Sequence, residues 1–340
     1  MTKRYPVITD TQCDVDLATS PLPRTDRRIL LDPADWLRAE ASLAADLARA
    51  AMALGRLDGA LASLLEDDQR AGAGTRLAMA ETGEMLWAAG TPLAPEDLGR
   101  DLMDVPARVE PETLRQARWA VRRLEGQGDL RDLRHFLGLA RSDLPSWSGP
   151  VALRPTGAAF DAAAEDFAER LFAMAPAHPL SRAAYGLALW RLSDLSPEGD
   201  VVESACWAAR SLAEDCGALA FAPLGMAGRT TWTLGGPATE RLARWYQAVG
   251  QGAEAARQQV QRLTAWELRA RGAVARIKGE NPVRILRALA AAPLMTTAMV
   301  EASAGISRDT AERLLARLAG LGLIREVTGA KRFRLWAALI

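Results

Sequence analysis

Helical periodicity is the feature of this sequence that most constrains its fold. From Leu43 to Leu54, apolar residues recur at steps of three and four, which is the spacing of one face of a helix. Asp32 and Pro33 precede this run, and an N-cap aspartate followed by proline at the first helical position is a typical helix start. Further helices are predicted over 75–89, 111–125, 129–139, 160–174, 181–192, 201–216 and 237–278.

The pattern places the chain in the mostly α class. The last of these helices is long and basic, with at most a brief break at Gly250. The stretch 221–236 is predicted to be irregular, and no strand is predicted before the last twenty residues. At 340 residues, 49% of them hydrophobic, the chain is long enough to bury two or three cores. Most of its ten tryptophans lie in apolar-periodic helices and are expected in those cores.

Breaks in the periodicity divide the chain into six segments. Residues 1–32 carry three prolines in the first thirty positions and are expected to form an N-terminal arm. Residues 33–141 form a helical region, and 142–158, dense in Pro, Gly and Ser, form a linker or long loop. Residues 159–250 form a helical core, 251–280 a basic connecting helix, and 281–340 a terminal domain.

Several classes of protein are disfavoured by the composition. No apolar run reaches the roughly 18 residues of a membrane span, and the first residues lack the apolar stretch of a signal peptide, so a cytoplasmic protein without a membrane partner is expected. The three cysteines share no CxxC spacing, which argues against disulfides and structural zinc. Two histidines are too few for a His-rich metal site, and although they are enough for a Ser-His-Asp triad, no G-x-S-x-G stretch supports one. Neither metal nor cofactor is expected.

Charge is distributed unevenly along the chain. The 42 basic and 42 acidic residues cancel overall, but residues 281–340 contain nine basic and four acidic ones. An acidic body with a basic end offers that end to a polyanion. The alternative is that an arginine-rich composition produces the same excess without a function.

The terminal domain has the order of a winged helix-turn-helix with a short β-hairpin. Asn281 is expected to cap its first helix, with Pro282 at the first helical position. Gly305 supplies the turn between the second and third helices, and Ser307 is expected to cap the third. The strands LIREV and RFRLW, joined by 328–331, complete the order. Glu301 departs from the small residue that such helices commonly carry at this position.

The third helix and the hairpin hold the residues that we expect to touch DNA. Ala311, Leu314, Leu315 and Leu318 share one face and are expected to be buried. Arginines near the start of the opposite face can reach guanine edges in the major groove, and basic residues at a hairpin tip can bind phosphates or enter a minor groove. The expected DNA-binding residues are Ser307, Arg308, Thr310, Arg313, Arg317, Lys331, Arg332 and Arg334. The alternative is that the domain contacts protein instead.

Two stretches resemble proteins of the Fic family. LARAAMALGRLDGALASL, from Leu47 to Leu64, is similar to their N-terminal helical region, and SRDTAERLLARLAGLGLIREVTGAKRFRLW is similar to the winged helix that follows the catalytic domain in many of them. The resemblance implies a helical body, with 33–141 as the N-terminal region and 159–250 as a degenerate Fic domain. In the family, an HPFx[D/E]GNGRxxR loop transfers AMP from ATP, with the histidine as base and the Gly-Asn-Gly amides holding phosphates.

The stretch HPLSRAAYGLAL matches that loop only at its start. His178 and Pro179 agree with the motif, and His178 is therefore a degenerate candidate base. The departures are Leu180 for the aromatic residue, Arg182 for the magnesium-binding acid, Ala183, Ala184 and Tyr185 for Gly-Asn-Gly, and Gly186 and Leu189 for the arginines. Without glycines the backbone cannot approach phosphates closely, and without the acid a metal has no ligand.

The inhibitory motif [S/T]xxxEG of such proteins is also degenerate here. In MAETGEMLWAAG, Met85 stands at the Ser position and Ala89 at the Glu position, and Gly90 is retained. The stretch from Leu86 to Leu98 also resembles uncharacterised alphaproteobacterial helix-turn-helix proteins, common in rhizobia.

These observations together predict a DNA-binding transcriptional regulator. Its Fic-like body would be catalytically inactive and would serve dimerisation, or the sensing of a small effector or protein partner. A homodimer would place two recognition helices about one turn of double-stranded DNA apart. Two alternatives stay open: a divergent AMP-transferring enzyme that uses His178 and Arg182, and a protein–protein adaptor of antitoxin type.

Overall fold

A computed structural model describes residues 31–103, 109–139, 154–197, 199–329 and 334–340. The helices are α1 Pro33–Ser42, α2 Ala44–Ala62, α3 Asp67–Ala88, α4 Pro95–Leu102, α5 Pro111–Leu124, α6 Leu133–Leu137, α7 Gly157–Phe172, α8 Pro179–Trp190, α9 Val202–Ser211, α10 Gly228–Thr233, α11 Ala238–Val274, α12 Asn281–Ala291, α13 Thr297–Ala304 and α14 Arg308–Gly320. The strands are β1 Met295–Thr296, β2 Ile324–Glu326 and β3 Leu335–Ala338. The mostly α class is confirmed.

Helix α11 is the longest element of the fold and organises the body. Its 37 residues span about 55 Å at 1.5 Å per residue, and it packs along α2 and against α1, α8, α10 and α12. It continues through Gly250 without a break, so the predicted boundary between 250 and 251 falls inside one helix. Its buried face includes Trp245, Val260 and Trp266.

Two predictions about local structure are wrong. The stretch 221–236, expected to be irregular, contains a short 3-10 helix, Gly225–Ala227, followed by α10. These elements are too short to show a helical period in the sequence, and the ring of Trp232 folds back over the α-carbon of Gly228. The terminal hairpin is part of a three-stranded antiparallel sheet in the order β1-β3-β2. A two-residue strand such as β1 has no alternation from which it can be predicted.

Aromatic side chains fill much of the body core, as predicted. Trp190, Trp207 and Phe167 form a cluster with ring centroids 5.2 to 5.8 Å apart, in which Phe167 meets both indoles edge-on and the two indoles are tilted at 37° to each other. Trp87 is an exception, because half of its surface is exposed and the guanidinium of Arg229 lies 4.1 Å from its ring centroid. Cys206 and Cys216 are free thiols, and no helix in the described ranges is both long and apolar enough to cross a membrane.

Candidate nucleic-acid interface

The described residues from 281 to 340, here called the C-terminal unit, bring the predicted DNA-contacting helix to the surface. Strand β3 lies between β1 and β2, with Met295 opposite Trp336 and Ile324 opposite Ala338. The indole N–H of Trp336 donates to the hydroxyl of Thr297, 3.2 Å away. Sheet and helices thus share one small core.

Helix boundaries in this unit agree with the predicted capping, with one correction. Ser307 is the N-cap of α14 and its hydroxyl accepts from the backbone N–H of Thr310 at 3.4 Å. Gly305, at φ +63°, ends α13 in the left-handed region, where glycine is the least strained residue. Asn281 is not the cap of α12: the helix already includes it, and the side chain of the N-cap Glu280 does not bond to the backbone N–H groups of the first turn.

Helix α14 separates apolar and charged side chains onto two faces. Its buried residues are Ala311, Leu314, Leu315 and Leu318, as predicted. The side chains of Arg308, Arg313 and Arg317 are exposed, and that of Thr310 is half-buried. The helix therefore presents three guanidinium groups to solvent while its leucines pack on the rest of the unit.

Acidic side chains on the same surface reduce its positive charge. The Nε of Arg308 donates to a carboxylate oxygen of Glu312 at 3.1 Å, and Asp309 is also exposed. Arg313 and Arg317 form no ion pair with any residue that the structure describes. These two arginines are therefore the cations of α14 that are most available to an anionic partner.

Two of the predicted contact residues already bond to each other. The hydroxyl groups of Ser307 and Thr310 lie 2.9 Å apart. Their first role is to fix the start of α14, because the cap satisfies an N–H group that the helix itself leaves unpaired.

Glu326 organises the turn that follows β2. Its carboxylate accepts from the backbone N–H groups of Thr328, at 2.8 Å, and Gly329, at 3.0 Å, and from the Thr328 hydroxyl. Burial alone would raise the pKa of Glu326, but these hydrogen bonds and the charge of Arg334 hold that pKa below its ordinary value. Arg334 is exposed just before β3, whereas the predicted contact residues Lys331 and Arg332 lie outside the described residues.

Arg76, on α3, joins the body to the C-terminal unit. Its guanidinium donates to the carbonyl oxygens of Leu289, Ala290 and Ala292, at 2.7 to 2.8 Å, where α12 ends. A cation at a helix C-terminus satisfies carbonyls that lack a partner in the helix and interacts favourably with the helix dipole. Burial lowers the pKa of Arg76 to about 10, so the group remains charged at neutral pH.

The stretch that resembles the Fic motif, from His178 to Leu189, does not form a phosphate-binding loop in this structure. His178 is the N-cap of α8, its Nδ1 accepts from the N–H of Leu180 at 3.1 Å, and its own backbone N–H donates to Glu40. The helix begins at Pro179, and residues 183–190 are all buried within it. At the positions of Gly-Asn-Gly the backbone is therefore helical. Likewise, Met85 is buried on α3 and Ala89 is the C-cap of that helix.

Two charged residues that prove central to the body were absent from the predictions. Arg76 and Glu81 both lie on α3, and their partners are more than 140 positions away in the chain. A charged residue among apolar neighbours is the only local signal, and that signal does not identify a partner.

Comparisons with known proteins give a similarity to solved structures but not to sequence families. No family model matches the sequence, and no curated protein matches it. Among solved structures, the chain is similar to a crystal structure of a Fic family protein from Desulfovibrio desulfuricans G20, with 13% sequence identity and a TM-score of 0.48 over 86% of this chain and 95% of that one. Values this low carry no argument about activity or residue roles.

Proposed function

We propose that this chain is a DNA-binding regulator whose C-terminal unit is a winged helix-turn-helix. The observation that carries the proposal is the geometry of α14, which buries its leucines and exposes Arg308, Arg313 and Arg317. The element order helix, strand, helix, helix, strand, strand is that of a winged helix. The second and third helices are joined by a short turn at Gly305, as in a helix-turn-helix.

The proposed roles follow from position in the unit. The side chains of Arg308, Arg313 and Arg317 enter the major groove, and the helix start at Ser307 and Thr310 sets the orientation of α14. Lys331, Arg332 and Arg334, which follow β2 and precede β3 in the sequence, contact the phosphate backbone. The helical body supports a homodimer and senses a partner, and it does not transfer AMP, because α8 replaces the loop that such chemistry requires.

DNA binding is tested with a pair of matched double variants. Fluorescence polarisation with labelled duplexes, first random and then genomic fragments, gives affinity as a function of salt. For Arg313→Ala/Arg317→Ala we expect about a tenfold or greater loss of affinity for the preferred genomic fragment and a smaller loss for random duplexes, because arginines in the major groove contact base edges. Arg115→Ala/Arg122→Ala removes two exposed arginines from α5 and is expected to leave both affinities unchanged.

Two results would contradict the proposal. Equal losses in the two double variants would mean that only total charge matters, and no binding to any duplex at low salt would favour a protein–protein adaptor.

For the body, incubation with labelled ATP and cell lysate is expected to give no labelled product. Product that disappears in His178→Ala would instead support a divergent AMP-transferring enzyme.

The proposed homodimer is tested by sedimentation. Because one chain has a mass of 36.6 kDa, a species of twice that mass is expected in the absence of DNA. A species that remains monomeric at high concentration and on a palindromic duplex would exclude the symmetric arrangement.

A further inference from the structure

A cavity of about 1000 Å³ lies in the body between α7, α8 and α9. Its remaining wall comes from residues 130–134, which lead into α6. The volume is at the upper end of the range for small-molecule sites. Its lining residues lie between 130 and 214, outside the C-terminal unit, and the proposed DNA contacts assign them no role.

Aromatic rings form much of the cavity wall. Phe160, Phe167, Phe172 and Trp207 all line it. The rings of Phe167 and Trp207 meet edge-on at 5.2 Å, and the guanidinium of Arg134 lies 5.3 Å from the ring centroid of Phe160. Phe172 is 79% exposed, which is unusual for a phenylalanine and leaves apolar surface available at the rim. The wall thus favours a flat apolar group.

A half-buried cation at the cavity lacks a partner. The guanidinium of Arg182, on α8, forms no ion pair or hydrogen bond with any described residue. A charged group that is partly removed from water is costly unless it is paired, so an anion beside this guanidinium is favoured. By contrast, Arg134 is already paired with Asp161 at 2.6 Å.

The acidic residues of the cavity do not pair with Arg182. Glu165 and Glu214 line its edge but are exposed to water, Asp132 is the N-cap of α6, and Asp161 is held by Arg134. The cavity therefore suits a ligand that carries an anionic group on a flat apolar ring system.

We propose that this cavity binds a small aromatic carboxylate. The ring packs among Phe160, Phe167 and Trp207, and the carboxylate accepts hydrogen bonds from Arg182. Arginine suits this role because its planar guanidinium can bond both carboxylate oxygens at once. Such a ligand would give the helical body a chemical signal to sense, and its binding does not depend on whether the C-terminal unit binds DNA.

The test compares 2-naphthoate with 2-naphthalenemethanol by titration calorimetry on the full chain. The two probes share a ring system and differ in the anionic group, so we expect naphthoate to bind at least tenfold more tightly. Arg182→Gln should remove most of that preference, because a charge-assisted bond contributes about one factor of ten or more. Arg122→Gln, an exposed change on α5, should leave it intact.

A second pair of variants tests the location. Ala164→Trp places an indole inside the cavity and should weaken binding of both probes at least tenfold, whereas Ala265→Trp, on the exposed face of α11, should not change it. Equal affinity for the two probes would overturn the proposal, and so would naphthoate binding that survives Ala164→Trp. Binding of ATP in this cavity, without binding of naphthoate, would also overturn it.

Discussion

Glu81 is a fully buried carboxyl group that holds a loop of the body in place. Its two oxygens accept from the backbone N–H groups of Leu224, at 2.9 Å, and Gly225, at 2.8 Å. Burial raises the pKa of Glu81 to about 7, against the opposing effect of the two N–H donors and with a smaller upward contribution from Glu84. The residue is therefore half-protonated near neutral pH.

This pKa predicts how stability changes with pH. Between the unfolded value of 4.5 and the folded value of about 7, the folded state binds more protons than the unfolded state. The free energy of unfolding therefore falls as pH rises through this window, by about 3 kcal/mol from this group. Urea unfolding at pH 5, 6, 7 and 8 is expected to show that slope in the native chain and a shallower one in Glu81→Gln.

The matched control is Glu66→Gln, which changes an exposed carboxyl group and should keep the native slope. A Glu81→Gln variant with the native slope would mean that this carboxyl group does not titrate in the window. Glu81→Gln should also be less stable at pH 5, because the hydroxyl oxygen of the protonated carboxyl group can still accept from an N–H group and an amide nitrogen cannot.

Two of the three glycines in helix α11 have opposite surroundings. A Cβ on Gly252 would lie 2.2 Å from the carbonyl oxygen of Pro223 and 2.5 Å from the α-carbon of Leu224, whereas a Cβ on Gly272 would meet nothing within 4 Å. The loop at 223–225 is thus held between Glu81 on one side and the bare backbone of Gly252 on the other.

The same substitution at these two positions is expected to have opposite effects. Gly252→Ala should lower the free energy of unfolding by about 1–3 kcal/mol, because backbone must move to admit the methyl group. Gly272→Ala should raise it by about 0.5–1 kcal/mol, because alanine is the better helix former at an open position. Urea unfolding followed by tryptophan fluorescence measures both, and two effects of the same sign would contradict the packing described here.

Elements with strong local signals were predictable from the sequence, and those made by distant contacts were not. The faces of α14 and the turn at Gly305 followed from periodicity, capping and glycine chemistry within a few residues. Strand β1 exists only because Met295 and Thr296 lie beside Trp336 and Leu335. The cavity beside Arg182 likewise depends on how α7, α8 and α9 pack, which no local pattern specifies.

At the scale of the whole molecule, the C-terminal unit is fixed to the body at several points. Arg76 of α3 binds the end of α12, and the indole N–H of Trp266, on α11, donates to the carbonyl of Leu323 at 2.7 Å. Gly72 allows α3 to meet the backbone of Ala291, where a Cβ would lie 2.1 Å from its carbonyl oxygen. The Trp266 bond is buried and the Arg76 bonds are partly buried, so the body and the C-terminal unit are expected to unfold together.

Calorimetry tests this coupling. The native chain is expected to unfold in one transition, and Arg76→Gln/Trp266→Phe in two, with the C-terminal unit first. The double variant leaves buried carbonyls of α12 and of Leu323 without donors, at a cost of about 1–3 kcal/mol each, while the phenyl ring keeps most of the apolar packing. Arg325→Gln removes only an exposed ion pair with Glu96, worth at most about 1 kcal/mol, and should retain the single transition. Two transitions in the native chain would mean that these contacts do not couple the two parts.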